Sequence, residues 1–563
     1  MRLPGSKKKL APWAKDIIDR CRASADLRAQ SARTFRTWRY AGSPDGAQAI
    51  LNRLGHHIDR LASYLFSPND LRYHMDFTHE YGKEVLDKAE VAARVLTREV
   101  ERRDIDMTFG EGVDLALTYG SCIAKVLSTH DGTSCRLVMP WQFGVYREDI
   151  TTLNDQEAMV ETNVITKHDL WRRIAHLPDA ESMFKRATSY AKKRVGAEES
   201  ESFFHQVLLA GSPPLVQTDL TLPAQPGGMV NVNSVGMGAV ITPEMMDDLI
   251  VVHEMFVKND ATEDWTTVQM ADPDIVIAPI FKAKNMFVPE ELPYSIIRPN
   301  NMTNYFFGIS EMAGMLKLQH LLKDRLEDIK RLMSLQYDRM LAFKGGSNMT
   351  EELYDQFRQA GWVNLEAGAD VEDLTPELPK EAFADIHEIL KMMDEVSGFQ
   401  NILSGQGEPG VRAGNHAETL LKTASPRLRD RALLVERQNA DLAHKVFECM
   451  RTKDNTQYWT SPDHEEGTEF MLSQIPEDYR IMVDSHSSSP IYQEDHKQIA
   501  EVLAKLGVID GESLLDLLPV PMRDILKIRY RDMQAKKEQK QEEAKAEIIQ
   551  HPELAKALGG KKK

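Results

Sequence analysis

The chain is poor in cysteine: only Cys21, Cys122, Cys135 and Cys449 occur among 563 residues, with no CxxC pair and no histidines at zinc-finger distance. That pattern excludes a disulfide framework and a zinc ribbon, and makes buried free thiols the expectation. Long apolar runs are missing too. No stretch reaches the roughly 18 to 20 uninterrupted apolar residues that a membrane-crossing helix needs. Positive charge is in deficit, with 69 Lys and Arg against 86 Asp and Glu and a formal net charge of -17. A protein that coats nucleic acid by neutralising phosphates needs the opposite balance. The deficit still permits a duplex to pass a largely repulsive wall.

Chemical signatures are absent as well. There is no GxxxxGK[ST] phosphate loop, no HExxH zinc motif and no GxSxG elbow, and both His253-Glu254 and His464-Glu465 lack a second histidine at helical spacing. The scattered acids form no metal-binding constellation, so no catalytic, cofactor or metal residue is expected and the chain reads as a non-enzyme. The first residues, MRLPGSKKKLAPWAK, are basic without the apolar core of a secretion signal. Folding in the reducing compartment of synthesis is the expectation.

With 42% hydrophobic and 28% charged residues, the chain can bury a sizeable core under heavily solvated faces. Apolar residues at three- and four-residue steps predict helices over 12–64, through Ile17, Ile18, Leu54, Ile58 and Leu61, and over 83–108, through Leu86, Val91, Val95 and Leu96. Gly110 and Gly112 are expected to break the second pattern, after which 112–127 reads as a short buried helix passing Tyr119-Gly120-Ser121 into a strand at 123–127. β-branched and aromatic residues predict strands at 136–139, 143–146, 159–165, 248–257, 265–269 and 274–280. Between them 215–238 carries prolines and paired glycines and reads as a loop. The sum is an α+β, predominantly helical chain.

Ser310 follows a glycine and is placed to cap a helix over 310–340, on the order of 45 Å long at about 1.5 Å per residue. Met312, Met315, Leu316, Leu322, Leu326, Ile329, Met333 and Tyr337 define one face, with Lys323, Asp324, Glu327, Lys330 and Arg331 largely opposite. Glu327 and Arg331 have the spacing of a surface ion pair. A small insert, 341–379, follows, with a strand at 341–343, a short helix at 350–360 and a strand at 362–365. A helix over 381–396 leaves it, so the natural geometry is an antiparallel helical hairpin with a compact tip. Next comes a loop with Gly405, Gly407, Gly410 and Gly414 around Pro409. Asn415 and Glu418 then form a capping box for a helix to Cys449, in which Pro426 predicts a kink. A strand at 479–484 and helices at 493–506, 511–518 and 521–537 complete the pattern, followed by a Lys- and Glu-rich tail that is either a solvated helix or disordered.

This order of parts resembles the portal proteins of tailed double-stranded DNA bacteriophages over about residues 12–537. Local stretches carry the resemblance: Pro299-Asn300-Asn301 before Phe307-Gly308-Ile309-Ser310 is similar to the family's lead-in to its first stem helix. Leu117-Thr118-Tyr119-Gly120-Ser121 is similar to its buried wing helix and glycine step, and Ala417-Glu418-Thr419 to the start of its kinked helix. The resemblance implies a wing (1–307), first stem helix (308–340), clip (341–379), second stem helix (380–397), tunnel loop (398–415), kinked helix with wing return (416–490), helical crown (491–537) and charged tail (538–563).

It further implies a ring, usually of twelve copies, at one capsid vertex of the virion, assembled in the host cytoplasm. Double-stranded DNA would pass through as sequence-independent cargo. Its partners would be the terminase large subunit, the major capsid and scaffolding proteins and a head-tail adaptor, with no membrane. The DNA-facing candidates are Gln406, Glu408, Arg412 and His416 of the loop and Lys323 and Lys330 of the stem. Phosphate contacts of this kind carry no base information, which suits a moving duplex. The bland alternatives are an ordinary surface loop and a solvated or subunit-pairing helix face. Arg427, Arg429 and Arg431 could pair with a neighbour or cover apolar surface with their stems. Tyr354, Phe357 and Trp362 of the clip are either its core or shared with partners. Rival classes are another ring-forming head-neck adaptor and a terminase-like packaging enzyme.

Overall fold

The β-branched runs of the N-terminal half pair with one another in two antiparallel sheets. The computed structural model describes residues 7–41, 51–68, 71–129, 132–196, 249–259, 264–282, 292–337, 341–344, 370–374, 381–397, 426–453, 456–460 and 468–483, with isolated residues in 341–379 and after 501. Among these, β1 (Tyr73–Phe77) precedes a three-stranded sheet of β2 (Cys122–Thr129) between β3 (Gly132–Val138) and β9 (Tyr294–Ile297). A five-stranded antiparallel sheet follows in chain order: β4 (Phe143–Val145), β5 (Ala158–Thr166), β6 (Leu249–Lys258), β7 (Trp265–Ala271) and β8 (Ile275–Lys282). Strands expected at 136–139, 143–146, 159–165, 248–257, 265–269 and 274–280 all lie on these elements.

Strands β5 and β6 are buried on both faces. On one, α1 (Lys7–Cys21) lays Leu10, Ala14, Ile17 and Ile18 against Val160, Met255 and Val257, and α2 (Ala25–Arg36) packs Ala25, Ala29 and Ala32 beside Val251. On the other, α6 (Lys167–Ile174) and α7 (Ala180–Gly196) cover Ile250 and Val252, while the three-stranded sheet packs over Met159 and Phe256.

The two sheets meet through facing rungs of charge. Register sets Lys125 between Arg136 and Tyr294 in one sheet and Glu161 opposite Glu254, itself opposite Gln269, in the other. Like charges directly opposite on one sheet repel. Here each like pair is neutralised by the facing rung: Lys125 Nζ donates to Glu161 Oε2 at 2.7 Å and also to Glu254, Arg136 donates to Glu161, and the Tyr294 hydroxyl donates to Glu161 Oε2 at 2.6 Å. Lys125 and Glu161 are buried. Burial pushes the Glu161 carboxyl up, but Lys125 and Arg136 outweigh it and hold the group below its ordinary value.

A helical layer packs beside the sheets: α3 (Arg53–Leu65), α4 (Lys83–Arg102), α5 (Ile105–Tyr119), α8 (Glu311–Tyr337), α9 (Ala382–Ser397) and α10 (Pro426–Lys453). They share one core through Leu61, Leu96, Phe109, Met315, Met393 and Val446. Among the described residues helix outweighs strand, so the fold is mixed and predominantly helical. The expected break at Gly110 and Gly112 is wrong. The chain turns instead at Asp104, whose φ of 52° is left-handed, and α5 runs through both glycines. A Cβ on Gly112 would lie 2.5 Å from Ile297 Cδ1, so this glycine serves close helix-sheet contact rather than a turn. Helices α6 and α7, β1, β9, β12 (Tyr458–Trp459) and β13 (Glu469–Phe470) are additional to the expected elements. Antiparallel pairing of β1 with β14 (Tyr479–Val483) returns the distal part of the chain to its beginning.

Three of the four cysteines are buried and Cys135 is half-buried; burial pushes the Cys21, Cys122 and Cys135 thiols up to about 12. They are protonated and inert at neutral pH.

Replacing Lys125 with Ala removes the cation shared by Glu161 and Glu254 between the sheets, and breaking a buried ion network from one side costs about 3–5 kcal/mol. The expected outcome is a marked fall in the urea midpoint of Lys125→Ala; a midpoint within error of the parent protein contradicts the facing-rung account.

Candidate functional site: the root of a helical hairpin

Helix α8 holds an apolar stripe that buries Met312, Met315, Leu322 and Ile329. At about 1.5 Å per residue its 27 residues span roughly 40 Å. Helix α9 lies antiparallel beside it: Gly314 is close to Val396, while Arg325 reaches Asp385 at 3.5 Å. Beyond the pair, β10 (Leu341–Lys344) and β11 (Asp370–Asp373) form a two-stranded antiparallel ladder, so both ends of the insert are joined in a strand pair. The hairpin of helices expected from the sequence is present. Its second strand falls at 370–373, whereas the strand expected at 362–365 lies outside the described residues.

The three stretches singled out before α8 converge at its first turn. The Ser310 hydroxyl donates to the Thr118 carbonyl oxygen at 2.6 Å and accepts from Met312 N–H at 3.2 Å, so it caps α8 and ties it to the end of α5. Gly120 at φ 95° and Gly308 at φ 69° lie back to back: a Cβ on Gly120 would sit 3.1 Å from Ser310 N, and one on Gly308 would sit 2.8 Å from the Gly120 carbonyl oxygen. Only glycine meets both the positive φ and the close approach. The Asn300 carbonyl accepts from Ile309 N–H, and its side-chain amide donates to Glu311 Oε2 at 2.8 Å.

Glu311, the first residue of α8, is the centre of this root. It is 7% exposed, and its carboxylate gathers four elements. Arg431 of α10 pairs with Oε2 at 2.8 Å, Asn300 donates from the lead-in loop, and His57 of α3 places Nε2 at 3.6 Å from Oε1, an electrostatic contact beyond hydrogen-bond range. A carboxylate in the first turn also faces the positive end of the helix dipole. Burial pushes this carboxyl up, yet His57, Arg431 and Asn300 together outweigh it and hold it at about 2.

Further along, Gln319 pins α8 to the start of α3, donating to the Leu51 carbonyl at 2.9 Å and accepting from Leu54 N–H. Arg53 of α3 pairs with Asp394 of α9 at 2.8 Å. Helix α10 crosses the core on a stripe of Leu428, Ala432, Val435, Leu442, Val446 and Cys449. Its polar side grips β9: Ser295 donates to Asp441 at 2.6 Å, and Gln438 exchanges hydrogen bonds with Arg298 N–H and C=O.

Three expectations about charge are corrected. Lys323 is 6% exposed and lies 3.9 Å from Glu327, so it is turned into the chain rather than offered to a channel, and Glu327 faces Lys323 instead of Arg331. Arg431 is buried against Glu311 and is not a surface cation for a neighbour. Lys330 is exposed. Gln406, Glu408, Arg412 and His416, and Tyr354, Phe357 and Trp362, lie outside the described residues, as does the segment 415–425 that holds the Asn415 capping box. The described part of α10 starts at Pro426, so the bend expected there falls at its edge. Among the described residues no group of three or more His, Cys, Asp and Glu is placed to hold a metal ion, and no helix is long and apolar enough to cross a membrane. Glu311, His57 and Arg431 escaped the sequence reading as a set; an acidic residue directly after a serine cap was the available signal.

Because the Glu311 pKa is depressed in the folded chain, its contribution is complete above the unfolded value near 4.5 and is lost as pH falls toward 2. Its size is on the order of 3 kcal/mol. Denaturant titrations at pH 7 and pH 3 are expected to show this loss in the parent protein and a smaller one in Glu311→Gln; identical pH dependence of the two contradicts the assignment. Gly120→Ala is expected to lower stability by at least about 1–3 kcal/mol through left-handed strain and the clash with the α8 start; a neutral effect in the same titration counts against the back-to-back glycines. The chain matches no protein-family model and no curated protein.

Proposed function

We propose that the chain is a portal subunit: one member of a ring at a capsid vertex through which double-stranded DNA is packaged and later released. The observation that carries this reading is the long antiparallel hairpin of α8 and α9, rooted where the three singled-out stretches meet and followed in sequence by the glycine-rich 398–414 stretch and α10. A hairpin whose root is anchored in the core, with its far strand pair about 40 Å away, is a strut. Its root is rigid because four elements converge on one buried carboxylate.

The exposed faces of the strut support assembly. Leu321 and Met333 on α8, and Phe383, Met392 and Val396 on α9, are more than a third exposed. Asp324, Asp328, Lys330 and Arg331 are exposed among them with both signs represented. Apolar positions interleaved with opposite charges suit a head-to-tail contact, and such contacts close into rings when the rotation is right. With a net charge of -17, the ring conducts its cargo by repelling rather than holding it. Terminase and then a head-tail adaptor dock at the far tip, and the capsid and scaffolding proteins meet the wing.

Negative-stain microscopy of the purified protein is expected to show rings with a central hole wide enough for a duplex, close to twelve-fold. Only monomers or compact dimers under all conditions, or ATP hydrolysis by the purified chain, contradict the proposal. Met333→Glu combined with Phe383→Glu is expected to abolish the rings while leaving thermal stability within a few degrees of the parent. Intact rings in that variant would remove the hairpin from the subunit contact.

A further inference from the structure

We infer that the helical pair α6–α7, on the outside of the five-stranded sheet, is a second contact site for double-stranded DNA, separate from any channel. In a chain of net charge -17, residues 167–196 carry eight Lys and Arg against three Asp and Glu, a local net of +5. A basic patch on a rigid element is the electrostatic footprint of phosphate binding.

The geometry separates anchoring from contact. Leu170, Ile174, Ala180 and Ala187 are buried against β6 and β8 through Ile250, Val252, Ile275 and Ile277, so the pair is fixed to the sheet by its apolar side. The other side carries Arg172, Arg173, His176, Lys185, Arg186 and Lys192, all exposed. Arg186 is paired with Asp274, and Arg172 lies 4.0 Å from Asp169. Lys185 and Lys192 are seven residues apart on α7, two turns along one face and roughly 10 Å apart. This is a row of cations rather than a single pocket, as contacts along a phosphate backbone require.

An acidic protein partner fits less well. Tight protein docking relies on a central apolar anchor. The groove beside the patch, lined by Lys167, His168, Trp171, Glu181, Phe184 and Lys185, is shallow and includes a carboxylate. Its one large exposed side chain, Trp171, is engaged edge-on by Phe184 at a centroid distance of 5.3 Å. The selection of a duplex among nucleic acids rests on the proposed packaging function; the location and sign of the site do not.

Binding of the full-length protein to a labelled random-sequence duplex, followed by fluorescence anisotropy across a salt series, tests the inference. The parent protein is expected to bind at about 50 mM salt and to lose affinity steeply by about 200 mM. Arg173→Ala, Lys185→Ala and Lys192→Ala combined are expected to reduce the log–log salt slope by about three, one for each phosphate contact removed. Arg60→Ala, Arg94→Ala and Arg102→Ala combined, which remove the same charge from exposed positions elsewhere, are expected to leave the slope unchanged. Equal losses in both triple variants, no loss in the first, or binding of poly-glutamate in place of DNA would overturn the inference. Rings that form normally while the first variant binds DNA like the parent defeat this inference alone. Monomers whose DNA binding is lost in that variant defeat the portal proposal and leave the site standing.

Discussion

A single buried carboxylate sets where the long hairpin springs from the body. Glu311 is held at once by an arginine from α10, an amide from the lead-in loop and a histidine from α3. No two of those elements are neighbours in sequence, so the carboxylate is a four-way constraint on tertiary structure. Removing a carboxylate from water is expensive, and a buried ion pair often contributes little net stability against an apolar substitute. Its value lies in direction. Apolar surface is tolerant of small rotations, whereas a charged, hydrogen-bonded group is satisfied in one arrangement only. A strut some 40 Å long magnifies any angular error at its root.

The same logic appears between the sheets, where rungs that would be repulsive alone are made complementary by facing each other. Lys125 and Glu161 fix the register of the three-stranded sheet over the five-stranded one, and β9 of that small sheet is gripped by Ser295 and Arg298 against α10. Charge clusters thus connect the two sheets to α10 and α10 to the root of α8. If copies of the chain assemble, this continuity gives each subunit a stiff path from its outer sheet to its hairpin. The basic α6–α7 pair is seated on the outer end of that path.

Much of the scaffold was legible because its signals are local. Six of the expected strands sit where β-branched and aromatic residues concentrate, and the Ser310 cap and the apolar stripe of α8 follow from helical spacing. The antiparallel hairpin follows from connectivity, since an insert attached at both ends to helices leaves few other geometries. What escaped depends on partners distant in sequence. Gly112 looks like a helix breaker until β9 is known to press against it, and Asp104 gives no sign of a left-handed turn. Lys323 and Arg431 look like surface cations on a helical wheel, yet tertiary packing buries both, Arg431 against Glu311 of α8. The short strands β1 and β9 carry too few residues to announce themselves and exist through pairing with β14 and β2. The candidate residues of the glycine loop and the clip lie outside the described structure, so the legible part of the site is its root.

The most direct test of that root is a double-mutant cycle between Glu311 and Arg431, read from urea unfolding of Glu311→Ala, Arg431→Ala and the double variant. If the carboxylate organises the junction, the two losses are strongly non-additive, with a coupling of about 1–3 kcal/mol. Losses that add to within roughly 0.5 kcal/mol would mean that the helices meet through apolar packing alone, and that the buried charge does not direct the strut.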